Sequence, residues 1–148
     1  MVDITYTLNE VLVKLFNDII TIEEKAIKTG TYKDLTVNDM HVIHAIDINE
    51  PKNMSTVANA MSVTTGTLTI SVNGLVKKGY VDRIRSEKDR RVVLVSLTEK
   101  GRKAYEQHQR FHQKMIDAVV EGLDAKEQAI LEKSLKNMIG FFATIDTK

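Results

Sequence analysis

The segment TTGTLTISVNGLVKKG, residues 64–79, decides the fold. On a helical wheel at about 100° per residue, its large apolar side chains fall on one side, which must face a core. These side chains are Leu68, Val72, Leu75 and Val76. Gly79 stands where a helix favours a left-handed residue at its end. The segment therefore predicts a helix over residues 65–78.

The opposite face of this helix has an unusual composition. It carries Gly66, Ile70, Asn73 and Lys77, with Thr67 and Gly74 at its margin and Thr65 and Thr69 beside the core stripe. No acidic residue occurs from Val63 to Val81. Small residues allow close approach to base edges, hydroxyls and an amide can donate and accept, and methyl groups can meet a thymine methyl. We therefore expect this face to read the major groove of DNA, the alternative being a face packed against another subunit.

The residues before this helix complete a helix-turn-helix. Apolar residues spaced by three and four predict a long first helix that runs from about Ile4 to Lys28. Thr36 and Asp39 form a capping pattern that opens a second helix. A short third helix is expected to begin around Ser55, and residues 62–64 then form a tight turn into the helix at 65–78.

After Gly79 the apolar period changes from helical to strand-like. Residues 80–85 and 91–97 predict two strands joined by a polar loop at 86–90. Thr98 is expected to cap a fifth helix, and a capping box at 124–127 opens a sixth. The predicted fold class is mainly α with a small two-stranded β wing: a winged helix-turn-helix with N- and C-terminal dimerisation helices. The end helices carry more apolar surface than a monomer hides, which favours a homodimer.

The predicted wing is a basic island. Residues 77–91 hold seven basic and three acidic residues, a local net charge of +4 in a chain of net charge +1. Such an island is typical of polyanion binding, although a solvated, charge-paired turn is the alternative. An arginine at the tip can enter the narrow minor groove, and Asp89 is expected to pair with a neighbouring arginine and fix the loop. The candidate DNA-binding residues are Thr64, Thr65, Gly66, Thr67, Thr69, Ile70, Asn73, Lys77, Arg83, Arg85, Lys88, Asp89, Arg90 and Arg91.

The stretch RSEKDRRVVLVSLTEKG, residues 85–101, resembles the wing signature of the MarR family, and the likeness extends to the order of elements along nearly the whole chain. The resemblance implies one domain over 1–148, with a winged-helix DNA-binding lobe at 30–100 and helical dimerisation regions at 1–29 and 101–148. It implies a sequence-specific transcriptional regulator, a repressor, that acts as a homodimer on a pseudo-palindromic operator. Carried over by position, Arg91 is the arginine that enters the minor groove and Asp89 the aspartate that steadies it.

Four short motifs are similar to the branch of this family that represses fatty-acid synthesis genes. They are Ile22-Glu23-Glu24, Tyr32-Lys33-Asp34-Leu35, Asp39-Met40-His41 and Arg110-Phe111-His112. The resemblance implies a long-chain acyl group on acyl carrier protein as corepressor. The apolar residues and histidines where the first and fifth helices are expected to meet suggest an effector pocket, although its apolar members would equally suit a dimer core. The candidate pocket residues are Phe16, Ile19, Ile20, Glu24, His41, His108, Phe111, His112 and Met115.

The four histidines form two pairs. His41 and His44 are three residues apart and His108 and His112 are four apart, so each pair shares a helix face and can hold a metal. Together with Glu24, the residues His41, His108 and His112 resemble a zinc site in the metal-sensing branch of the same family. Three interpretations stay open: ordinary polar residues at helix junctions, the polar end of an acyl pocket, or a metal site.

The sequence argues against several other classes. With 148 residues and no cysteine, the chain has no disulfide, thiolate nucleophile or cysteine metal site. No run approaches the ~20 apolar residues of a membrane helix, and no signal peptide is recognisable, so we expect a cytoplasmic protein. No phosphate loop, metalloprotease motif or nucleophile elbow occurs, so an enzyme is not expected. We expect no cofactor either, apart from the acyl effector or the zinc ion considered above. The remaining rival is a protein-binding adaptor that has lost DNA binding.

Overall fold

Helices dominate the computed structural model, which describes residues 3–145, and one small antiparallel sheet completes it. The elements are α1 (Ile4–Asn9), a π-helical segment (Glu10–Leu15), α2 (Phe16–Thr29), α3 (Val37–Ile46), β1 (Lys52–Asn53), α4 (Met54–Ala60), α5 (Thr65–Lys78), β2 (Val81–Arg85), β3 (Val93–Leu97), α6 (Glu99–Val120) and α7 (Ala125–Thr144). This order confirms the winged helix-turn-helix predicted from the sequence. The long first helix is also confirmed, although its central π-helical segment was not predicted.

The helix-turn-helix is formed by α4 and α5, and short polar side chains set their ends. The Asn53 side chain accepts a hydrogen bond from the backbone amide of Thr56 at 2.7 Å, so Asn53 is the N-cap of α4. Gly79 ends α5 in the left-handed conformation with φ 87°, as its position predicted. The predicted capping box of Thr36 and Asp39 is present at the start of α3.

The sheet has three strands in the order β1-β3-β2, not the two strands predicted. The wing hairpin pairs β2 with β3, with Arg83 opposite Val95. The third strand is only two residues long, and Lys52 lies opposite Val95 on the other edge of β3. A two-residue strand shows no alternation of apolar and polar residues, so periodicity could not reveal it.

The core lies beneath α5 and is shared by α3, α4, the sheet and the start of α6. Leu68, Val72 and Leu75 of α5 are buried, which confirms the core side of the helical wheel. Gly101 is required where α6 begins, because a Cβ there would lie 2.1 Å from the carbonyl oxygen of Tyr80. The Tyr80 hydroxyl donates to Asp34 Oδ1 at 2.6 Å, and burial together with this carboxylate raises the pKa of Tyr80. These contacts fix α5 and β2 relative to the rest of the lobe.

The chain forms two compact units, and the division falls between His108 and Gln109. In the first unit α1 and the π-helical segment bury no residue, and α2 buries only Glu23. Nine of their large hydrophobic side chains are exposed: Ile4, Tyr6, Leu8, Leu12, Val13, Leu15, Phe16, Ile20 and Ile22. In the second unit α7 opens with the predicted capping box of Asp124 and Glu127, and it too buries no residue. No helix among residues 3–145 is long and apolar enough to cross a membrane.

Candidate nucleic-acid interface

The outer face of α5 is open to solvent over its whole length. Ile70 is 75% exposed. The other candidates on this helix are exposed as well: Thr65, Gly66, Thr67, Thr69, Asn73 and Lys77. Because the core side of the same helix is buried, the helical wheel placed both faces correctly. The result is a helix that displays hydroxyls, an amide and a bare backbone without any acidic side chain.

The threonine hydroxyls at the start of α5 differ in what they can still bind. Thr64 caps the helix: its Oγ1 accepts from the backbone amide of Thr67 at 3.1 Å and donates to Thr67 Oγ1 at 3.0 Å. The hydroxyl of Thr69 donates to the carbonyl of Thr65 at 2.7 Å. With its single proton committed to the backbone, Thr69 offers a ligand an acceptor only.

Gly66 has open space where a side chain would stand. A Cβ at this position would meet only the Thr64 hydroxyl oxygen, at 3.8 Å, which is ordinary contact. Glycine inside a helix lowers stability by about 0.5–1 kcal/mol relative to alanine. The packing of this chain therefore gives no reason for glycine at position 66, whereas close approach of a ligand to the backbone does.

The tip of the wing presents an ordered arginine. Arg91 is 91% exposed, and its Nε and Nη2 donate to Asp89 Oδ1 and Oδ2, each at 3.1 Å. These hydrogen bonds lower the pKa of Asp89. The expected pairing of Asp89 with a neighbouring arginine is thus present. Arg85 braces the loop by donating to the carbonyl of Arg90 at 2.8 Å, and Lys88 and Arg90 are exposed beside it.

A groove separates the recognition helix from the wing and is lined by basic residues. It has a volume of about 350 Å³, and its lining residues are Met54, Thr69, Arg83, Ile84, Arg85 and Val93. Arg83 bridges the groove by donating from Nη1 to Asn73 Oδ1. Sequence reasoning selected both residues of this bridge as separate DNA contacts and did not predict that they bind each other.

The structure corrects the acidic member of the predicted effector and metal sites. Glu24 is exposed and pairs with Lys28 at 2.8 Å. The buried carboxylate is Glu23, whose Oε1 lies 3.1 Å from His108 Nε2 and 3.6 Å from His41 Nε2. Because successive helical residues point about 100° apart, choosing the wrong one of two adjacent glutamates moves the carboxylate to the solvent side. His108 is buried and half of His41 is exposed.

The apolar members of the predicted effector pocket lie on two elements. Phe16 and Ile20 of α2 are about half exposed, and Ile19 is partly buried. Phe111, His112 and Met115 are partly buried residues of the second compact unit, where the Phe111 and His112 rings meet edge to face at 5.8 Å. Their role in a pocket stays a prediction.

Known proteins resemble this chain over the region that holds the site. The family model described as the transcriptional regulator SarA/Rot matches residues 25–108, more than half of the chain. The chain belongs to the SarA/Rot family of transcriptional regulators. The matched region of this SarA/Rot member includes the whole helix-turn-helix and the wing. It also includes the Glu23-facing residues His41 and His108, though not Glu23 itself.

Solved structures extend the similarity to the full length. The crystal structure of Streptococcus pneumoniae FabT in complex with DNA is 37% identical, with a TM-score of 0.88 over 96% of this chain and 99% of that one. The reduced form of MarR from E. coli is 29% identical, with a TM-score of 0.66 over 86% of this chain and 93% of that one. Staphylococcus haemolyticus SarZ is 38% identical over 82 residues, which span 53% of this chain and 56% of SarZ. These matches confirm the MarR-type winged helix and a DNA-binding transcriptional regulator rather than an enzyme.

Two site features escaped the sequence analysis. Asn53 is the N-cap of α4, and the sequence patterns considered above did not select it. Glu23 could have been selected over Glu24 from its phase on the first helix, since it lies four residues after Ile19 and four before Ile27, on the apolar side that is partly buried.

Proposed function

We propose that the chain is a homodimeric repressor that binds a pseudo-palindromic operator. Each subunit lays residues 65–73 of α5 in the major groove and inserts Arg91 of the wing in the adjacent minor groove. The observation that carries this proposal is the exposed, acid-free face of α5 beside an arginine held at a wing tip. The DNA complex of the 37% identical FabT supports it.

The exposed apolar residues support the homodimer. The helices α1 and α2 and the π-helical segment between them leave nine large hydrophobic side chains exposed to water in the isolated chain. In the second unit α7 does the same with Ile130, Leu135, Ile139, Phe141 and Phe142. Helices with this many exposed apolar side chains mark a protein interface. A second copy of the chain would cover it and would repeat the reading helix with two-fold symmetry.

Selection from a random double-stranded library by the purified full chain tests this function. The expected product is an inverted repeat whose half-site centres are about one helical turn, ~34 Å, apart. Fluorescence anisotropy on the selected sequence should fit one dimer per site, and light scattering should give the dimer mass without DNA. Failure to enrich any sequence at about 100 mM salt would favour an adaptor that has lost DNA binding.

We propose fatty-acid synthesis genes as the targets and long-chain acyl-acyl carrier protein as the corepressor. The proposal is supported by the motifs shared with that branch and by the flexible apolar residues near its candidate pocket, of which Phe16 and Ile20 are exposed in the isolated chain. Native mass spectrometry with and without acyl-acyl carrier protein tests it. An acyl-dependent complex that binds the selected operator more tightly than the free dimer is the expected result, and an unchanged affinity would contradict it.

Zinc is a second candidate effector because one carboxylate and two histidines converge in the first unit. Glu23 Oε1 lies within 3.6 Å of both His41 Nε2 and His108 Nε2, and carboxylate and imidazole are ligands that Zn²⁺ accepts. Glu23 would supply the carboxylate predicted for Glu24, and His41 and His108 are the histidines of the predicted set that face it within this unit. Bound metal would tie α2, α3 and α6 together. The same native mass spectra distinguish zinc from an acyl ligand by mass. If the spectra show neither, both effector proposals are contradicted.

A further inference from the structure

Arg83 and Asn73 join the two elements that the proposed function places in neighbouring grooves. Arg83 lies in the middle of β2, and Asn73 lies on the outer face of α5. The Arg83 Nη1 donates to Asn73 Oδ1, and both side chains are otherwise exposed. The pair is exposed, so its consequence is to be sought at the surface that it faces.

The hydrogen bond fixes which end of the Asn73 amide remains available. A carboxamide offers an oxygen that accepts and an NH₂ group that donates, and rotation can exchange the two. A guanidinium only donates, so a partner arginine must face the oxygen. With Oδ1 held by Arg83, the amide presents its Nδ2 hydrogens away from Arg83.

Arg83 is itself held where it can impose this orientation. Its backbone is in the paired part of the hairpin, opposite Val95 of the central strand. Its side chain lines the groove beside Thr69, which precedes Asn73 by about one helical turn. The other arginine of this strand, Arg85, is engaged elsewhere, with the carbonyl of Arg90.

We propose that Arg83 is a positioning residue that turns the Asn73 amide so that its Nδ2 hydrogens, and not its Oδ1, face the base edges. This inference rests on the proposed function. An unrestrained asparagine reads adenine, accepting from N6 and donating to N7. An asparagine that only donates suits guanine, whose O6 and N7 both accept, and it opposes the N6 amino group of adenine. The pair therefore selects guanine over adenine at the base pair that faces Asn73.

Library selection with the full chain tests the proposal on the wild type, Asn73→Ala, Arg83→Met and a matched control, Arg102→Met, which alters an exposed arginine of α6 outside the candidate interface. The wild type should select guanine at one position of each half-site, and Asn73→Ala should lose this preference. Arg83→Met should reduce the guanine-to-adenine ratio at that same position about tenfold or more, since a good base contact contributes about 1–3 kcal/mol. Arg102→Met should leave the guanine preference at that position unchanged. Thermal melting of each variant checks the fold, and Arg83→Gln replaces Arg83→Met if the latter unfolds.

Other outcomes overturn the proposal in distinguishable ways. If Arg83→Met weakens all sequences equally and lowers the salt slope by about one unit, Arg83 is a phosphate contact and not a positioning residue. If Arg83→Met and Asn73→Ala alter different positions, the two side chains act independently. If the wild type enriches no sequence, the proposed function itself fails.

Discussion

Asp89 holds Arg91 at the wing tip through two side-chain hydrogen bonds, both 3.1 Å long, while 91% of the arginine side chain stays exposed. The Arg91 backbone amide also donates to Asp89 Oδ1, at 3.0 Å. An exposed ion pair contributes little to stability, so its value lies in geometry. A guanidinium that is already held in its binding orientation loses less conformational entropy when it enters a groove.

Arg91→Ala should weaken binding to every DNA sequence and lower the salt slope by about one unit, because one phosphate-neutralising or groove-binding cation is lost. The matched control is Lys28→Ala, which removes the same charge from the exposed pair with Glu24 on α2. The measurement is anisotropy titration over a series of salt concentrations. Equal slopes for Arg91→Ala and the wild type would contradict the assignment of the wing.

Asp89→Asn should weaken operator binding several-fold with little change in the melting temperature, because the arginine loses its bidentate partner while the fold does not depend on it. In the wild type, the contacts from Arg91 lower the pKa of Asp89. The pair is therefore intact above the ordinary range of an aspartate and is lost only as the pH falls through the lowered pKa. The effect of Asp89→Asn should be constant between about pH 5 and pH 8. A steep change of that effect near pH 6 would argue against this account.

Gly66→Ala should change stability and DNA binding in opposite directions. A Cβ has room in the free protein, so the free energy of unfolding should rise by about 0.5–1 kcal/mol. The same methyl group would stand between the helix backbone and the DNA, and affinity should fall by about tenfold or more. Gly74→Ala is the matched control: a Cβ there has nothing within 4 Å, and the residue stands at the margin of the reading face. Urea unfolding and anisotropy measure the two effects, and undiminished affinity of Gly66→Ala would show that DNA does not approach the backbone there.

The features of the sequence that repeat along the chain predicted most of this fold. Local spacing predicted the two faces of α5, the end of that helix at Gly79 and the capping boxes, because each of these features involves residues only a few positions apart. The strand β1 has only two residues and forms because β3 lies beside it. The Arg83–Asn73 hydrogen bond likewise depends on how β2 returns along α5, which no local pattern encodes.

Glu23 and Glu24 are adjacent on one helix, but Glu23 is buried beside His108 whereas Glu24 is exposed and pairs with Lys28. Glu23→Gln removes the buried partner of His108 and should lower the free energy of unfolding by about 1–3 kcal/mol, because the histidine is left with a weaker acceptor inside the protein. Glu24→Gln alters only an exposed pair with Lys28 and should change stability by less than about 0.5 kcal/mol. Urea unfolding of the two variants at equal protein concentration checks the difference. Equal destabilisation would mean that Glu23 does not anchor His108.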